Sequence, residues 1–145
     1  MRPSLIVMSH GHMAEETVNS AKMIAGDIEN IFVVSMMADD GLSGTTEKLT
    51  KILNELEKES QIVILADLKG GTPCNVAMMR LADHPNLRVV TGFNLAMLLE
   101  AVFSPSTTAS ELADQLIDTG KMAVDKIELP AAVISADDDD DIEFD

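Results

Sequence analysis

QIVILADLKGGTP, running from Gln61 to Pro73, decides the fold. Its first six residues, Gln61–Ala66, read as a strand whose last five form a continuous apolar run, the pattern of a short strand buried on both faces of a parallel sheet. The run stops at Asp67. Leu68-Lys69-Gly70-Gly71 then requires a turn, and Thr72-Pro73 reads as an N-cap followed by proline at the first helical position. A buried strand feeding a glycine turn and then a helix is the joint of an α/β protein.

The same alternation extends in both directions. Ser4 to Ser9 (SLIVMS) and Ile31 to Met37 (IFVVSMM) are further buried strands, and Leu87 to Thr91 is a fourth. Helices are expected at His12–Ala25, closed by Gly26, and from a cap at Ser43 to about Lys58, with Asp39-Asp40-Gly41 as the loop before it. A third helix runs from Thr72 to about Asp83, and a fourth, capped by Asn94, spans Leu95–Phe103. Thr108 and Glu111 have capping-box spacing ahead of a fifth helix, with Gly120 as its stop. Lys121–Leu129 reads either as more helix or as a last strand, the alternation of Met122 and Val124 favouring strand.

Strands alternating with helices predict an open, mostly parallel sheet with helices on both faces. Right-handed crossovers leave few topologies, and the order 2-1-3-4 is expected. That order makes strands 1 and 3 neighbours, and ligands bind outside their carboxyl ends, where the chain winds away in opposite directions. One domain is expected over residues 1–130. Residues 131–145 form an acidic tail, expected to be disordered.

Composition narrows the function. The 145 residues carry a net charge of −15, and seven acids fall between Asp137 and Asp145. The remainder still sets ten basic against eighteen acidic residues, a net −8. With no Trp or Tyr either, nucleic acid and anionic membranes are poor partners. The single cysteine, Cys74, permits no disulfide within the chain and reads as a small packing residue. No apolar run reaches membrane-span length and no export signal is apparent, so a cytoplasmic protein is expected.

The predicted topology brings three features together. Strand 1 ends in Ser9-His10-Gly11, and strand 3 ends in Asp67 followed by Gly70-Gly71-Thr72. A neutral imidazole is a usable nucleophile near neutral pH. A carboxylate on one ring nitrogen fixes the tautomer and stabilises the cationic product. Backbone N–H groups at Gly71 and Thr72, the Thr72 hydroxyl and the helix start suit a bound anion. His10 is therefore the candidate phosphoryl acceptor, Asp67 its orienter, and Gly70, Gly71 and Thr72 the phosphate cradle. His10-x-His12 with Asp67 lacks a well-formed third and fourth metal ligand, so no metal is expected. Ser9 lacks the turn of a hydrolytic nucleophile. Met36, Met37, Met78, Met79 and Met97 read as core or rim packing, with a cluster near the site offering a docking surface.

At these residues the sequence resembles a known family. Leu5–Gly11, Ala66–Asn75 and Val90–Leu98 resemble the IIA component of the mannose-class sugar phosphotransferase system, over about residues 4–129. The resemblance implies that His10 takes a phosphoryl group on Nε2 from the phosphocarrier protein HPr. It implies onward transfer to a IIB component, with the membrane components IIC and IID served indirectly and no cofactor needed. It also implies a homodimer that exchanges a last, antiparallel strand, here Lys121 to about Leu129. Because some members continue into a IIB domain and this chain ends in the acidic tail, a separate IIB protein is expected. Two rivals use the same crevice: a receiver-like switch phosphorylated on Asp67, and a flavin or nucleotide module. Ser9-His10 disfavours the receiver, which needs an acidic pair there, and the missing Trp and Tyr disfavour the flavin. Some relatives are phosphoryl-carrier subunits of dihydroxyacetone kinases, which is the alternative pathway.

Overall fold

The computed structural model describes residues 1–131. The proposed acidic tail lies outside the described residues, apart from Ala131.

Four parallel strands, β1 (Ser4–His10), β2 (Ile31–Met36), β3 (Ile62–Ala66) and β4 (Leu87–Thr91), form one sheet in the order β2-β1-β3-β4. Five helices accompany them: α1 (Met13–Ala25), α2 (Gly41–Glu55), α3 (Thr72–Met78), α4 (Leu95–Phe103) and α5 (Ala109–Met122). The expected strand order is the one observed.

The central strands behave as their apolar runs require. Every residue of β3 is fully buried, as are Leu5, Ile6, Val7 and Met8 of β1. Alternation of side chains divides them between two cores. Leu5, Val7, Val63 and Leu65 pack with α1, α4 and α5, while Ile6, Met8, Ile62 and Ile64 pack with α2 and α3. Burying each such side chain contributes about 1.5–3 kcal/mol, so the middle of the sheet is a rigid base for whatever its ends carry.

Several local expectations shift. α2 begins at Gly41, before Ser43. Asp40 precedes it without capping it; its Oδ2 accepts from the Met37 amide at 2.7 Å and from Lys48 Nζ at 2.6 Å. α3 stops at Met78 and gives way to turns. Thr72 is the first residue of α3 and Gly71 is its N-cap, so the cap has no side chain.

Gly120 does not end α5. It lies inside the helix and is buried there, because an added Cβ would sit 2.6 Å from Met97 Sδ. The glycine answers to close packing of α5 on α4, with Asn94 Nδ2 donating to its carbonyl at 3.1 Å. The segment read as a last strand, Lys121–Leu129, begins in helix. Lys121 and Met122 finish α5, and residues 123–129 form no strand in the single chain. In one isolated subunit the segment has no neighbouring strand to pair with, and Val124 and Ile127 are about four-fifths exposed, at 80% and 83%.

Candidate functional site

The site starts where β1 outlasts β3. Their pairing ends at Met8 with Ala66, plus one hydrogen bond from the Asp67 amide to the Met8 carbonyl at 3.1 Å. β1 stays paired with β2 for two residues more, through Ser9–Ser35 and His10–Met36. A notch opens beside His10, and the chain leaving β3 turns into it.

Side-chain parity assigns the two residues at the strand end. Ser9 falls on the α1 face and is fully buried. Its Oγ accepts from the Ala14 amide at 2.7 Å and donates to the Gly11 carbonyl at 3.1 Å. It thereby satisfies one of the orphan N–H groups at the start of α1, since His12, the N-cap, makes no side-chain cap. The turn after His10 is pinned from below. Gly11, at φ 58°, gives that turn the left-handed conformation that side chains resist. Ser9 is the site residue that sequence reasoning missed: it was weighed only as a nucleophile. The signal was its position, one residue before His10 and five before the helix's second residue.

His10 falls on the opposite face, the one covered by α3. Asp67 reaches it from the end of β3. A single oxygen, Asp67 Oδ2, accepts from the His10 amide at 2.9 Å and meets the ring Nδ1 at 2.8 Å. Because that oxygen belongs to a carboxylate, Nδ1 carries the proton and Nε2 keeps its lone pair. The His10 side chain is 45% exposed while the Asp67 side chain is only 9% exposed. The other carboxylate oxygen, Oδ1, is buried and unpartnered among the described residues.

The glycine turn closes the notch. Gly70 adopts φ 83°, a conformation open to glycine at little cost. Its carbonyl accepts from Asn75 Nδ2 at 3.2 Å, tying the turn to α3. The Gly71 amide donates to the Leu68 carbonyl at 3.1 Å and is therefore already engaged. Among the described residues, the amide of Gly70 and the amide and hydroxyl of Thr72 have no partner. The structure thus brings His10, Asp67, Gly70, Gly71 and Thr72 to one place.

Other candidates lie elsewhere or do something else. His12 Nδ1 pairs with Glu15 at 3.2 Å on the exposed start of α1. No three His, Cys, Asp or Glu side chains are grouped to hold a metal among the described residues. Met97 is core, whereas Met78 and Met79 are more than half exposed, at 55% and 54%. Met78 and Cys74 line a mainly apolar groove of about 450 Å³ that begins at Lys69 and Gly70. No helix among the described residues is long and apolar enough to cross a membrane.

Known proteins resemble this chain in sequence and fold. The family model described as "PTS system fructose IIA component" matches residues 4–118. The mannose-specific EIIAB component of Escherichia coli K12 is 27% identical over 126 residues, which is 86% of this chain but 39% of that protein. The chain therefore spans about two-fifths of that relative's length. The fructose-specific EIIA component of Bacillus subtilis is 30% identical over 99 residues, 68% of each chain. Among solved structures, the mannose/sorbose-specific IIA subunit from Enterococcus faecalis superposes with a TM-score of 0.86 at 55% identity, covering 90% of this chain and 98% of that one.

Proposed function

This chain belongs to the IIA component family of the sugar phosphotransferase system (PTS), and from that membership we propose that it relays a phosphoryl group through His10. The donor is phosphorylated HPr and the acceptor a IIB component, which serves sugar uptake through the membrane components. The observation that carries the reading is the double hydrogen bond of Asp67 Oδ2, to the His10 amide and to ring Nδ1.

The chemistry follows from that bond. Nε2 attacks the phosphorus of the donor's phosphohistidine with its lone pair. A new N–P bond forms as the donor's N–P bond breaks, and the donor ring leaves with the electron pair. The His10 ring, still protonated at Nδ1, becomes cationic, and the Asp67 carboxylate stabilises it. The Gly70 amide and the Thr72 amide and hydroxyl are the groups we assign to the phosphoryl oxygens. Reversal of these steps against the IIB histidine completes the relay. The protein contributes position and charge, as in other phosphoryl transfers.

The same reading includes a homodimer in the cytoplasm. β4 is an edge strand, and an open edge is a liability that proteins cover. Val124, Ile127 and Leu129 are exposed on a segment that follows α5 beside that edge, and Val124 shares a groove with Val90 and Thr91. Exchange of residues 123–129 between subunits as an antiparallel strand would cover both.

The test is the stability of the protein-bound phosphate after incubation with phospho-HPr. A phosphohistidine is acid-labile and base-stable, and nitrogen-15 spectra should place it on Nε2. Loss of the label in base would instead indicate an acyl phosphate on Asp67 and refute the assignment.

A further inference from the structure

We propose that Gly71 is a positioning residue for His10: its missing side chain is the seat on which the imidazole rests. A Cβ built at Gly71 would lie 2.9 Å from His10 Cε1 and 3.6 Å from Nε2. Real Cβ atoms essentially never come so close, so any larger residue displaces the ring. Asp67 holds the ring at Nδ1, and the space that a Gly71 side chain would fill lies against its Cε1 flank.

Backbone conformation does not demand this glycine. Gly71 sits at φ −75°, ψ 166°, extended geometry that any residue adopts. In this it differs from Gly70, whose φ of 83° requires glycine although the space beside it is open. Adjacent glycines thus serve separate purposes, one conformational and one steric. The seat cannot yield from below. The same Cβ would meet the Leu68 carbonyl at 3.3 Å, and that carbonyl is held by the Gly71 amide at 3.1 Å. What can move is the half-exposed ring, and moving it away breaks the bond to Asp67 Oδ2. The consequence is loss of the fixed tautomer, so that a share of molecules carries the proton on Nε2 and has no lone pair to offer.

This inference rests on the relay reading for its kinetic consequence but not for its structural one. The experiment is nitrogen-15 spectroscopy of the ring nitrogens in the full chain and in Gly71→Ala, with phosphoryl transfer from phospho-HPr measured alongside. Wild type should show one tautomer, protonated at Nδ1. Gly71→Ala should keep its circular dichroism, show mixed tautomers, and transfer about 100-fold more slowly, the loss a displacement of about 1 Å produces. A single unchanged tautomer in Gly71→Ala would overturn the seat. If neither protein accepts phosphate yet the tautomers differ, the relay fails and the seat stands. Should Gly71→Ala fail to fold, the double variant His10→Ala/Gly71→Ala decides. Without the ring it should fold and melt like His10→Ala, and misfolding there too would refute a clash with the imidazole.

Discussion

Asp67 Oδ2 lies 2.9 Å from the His10 backbone nitrogen and 2.8 Å from its ring Nδ1, so one oxygen grips both the strand end and the side chain that leaves it. The first bond fixes where β1 ends. The second fixes which ring nitrogen is free. Asp67 is thus a positioning group twice over.

That double grip separates two substitutions. In Asp67→Asn the amide oxygen can occupy the Oδ2 place and keep both hydrogen bonds, leaving the NH2 where Oδ1 now has no partner. Geometry survives and the negative charge is lost. In Asp67→Ala both bonds go. Transfer from phospho-HPr should fall about 100-fold in Asp67→Ala, the size of a lost acid–base or orienting partner, and by less in Asp67→Asn. Stopped-flow or quench-flow transfer rates check the order; equal rates for wild type and Asp67→Ala would remove the orienting role.

Ser9 makes a second prediction. Ser9→Ala leaves the Ala14 amide buried without its acceptor and frees the Gly11 turn. A loss of about 1–2 kcal/mol in stability follows from the cap and the unmet donor. Urea unfolding should register it, and transfer should slow as the turn after His10 loosens. A melting curve unchanged from wild type would contradict the capping role.

The β2–α2 loop supplies a pH prediction. Hydrogen bonds from Lys48 and from the Met37 amide hold the Asp40 carboxyl below its ordinary range. A carboxyl depressed in the folded state stabilises the fold above its unfolded pKa, and that contribution is lost as pH falls through the folded value. Wild type should therefore lose part of its stability in the acid range, below about pH 4. Lys48→Met should show a shallower acid limb in thermal melts between neutral pH and pH 3. Identical slopes would show that the pair contributes nothing.

The exposed segment after α5 supplies a fourth. Sedimentation should give a dimer for the wild-type chain. Ile127→Asp with Leu129→Asp should shift it to monomer, because charge on an intersubunit strand opposes pairing with β4. A monomeric wild type would refute the dimer; a dimer indifferent to both charges would place its interface elsewhere.

The features legible in sequence were those carried by continuous apolar runs. Gln61–Ala66 marks the central strand to within one residue, Leu87–Thr91 and Leu95–Phe103 match to the residue, and the strand order is one of the few that right-handed crossovers allow. The meeting of His10 and Asp67 followed from that order alone. What escaped was set by tertiary contact. Gly120 looks like a helix stop but is a gap cut for Met97. Gly71 looks like one of two equivalent turn glycines, but its ordinary φ and the His10 ring beside it set it apart from Gly70. Thr72-Pro73 looks like a cap and a first helical residue, but the cap falls one residue earlier, at Gly71. Residues 121–129 carry a strand-like alternation that one subunit alone has no means of pairing.

The central claim is that His10 carries the phosphoryl group, and the most direct measurement is stoichiometric labelling by phospho-HPr with and without that ring. Wild type should take up one phosphoryl group per chain and surrender it to a IIB protein. His10→Ala, folded by circular dichroism, should take up none. Stoichiometric labelling of His10→Ala would contradict the account.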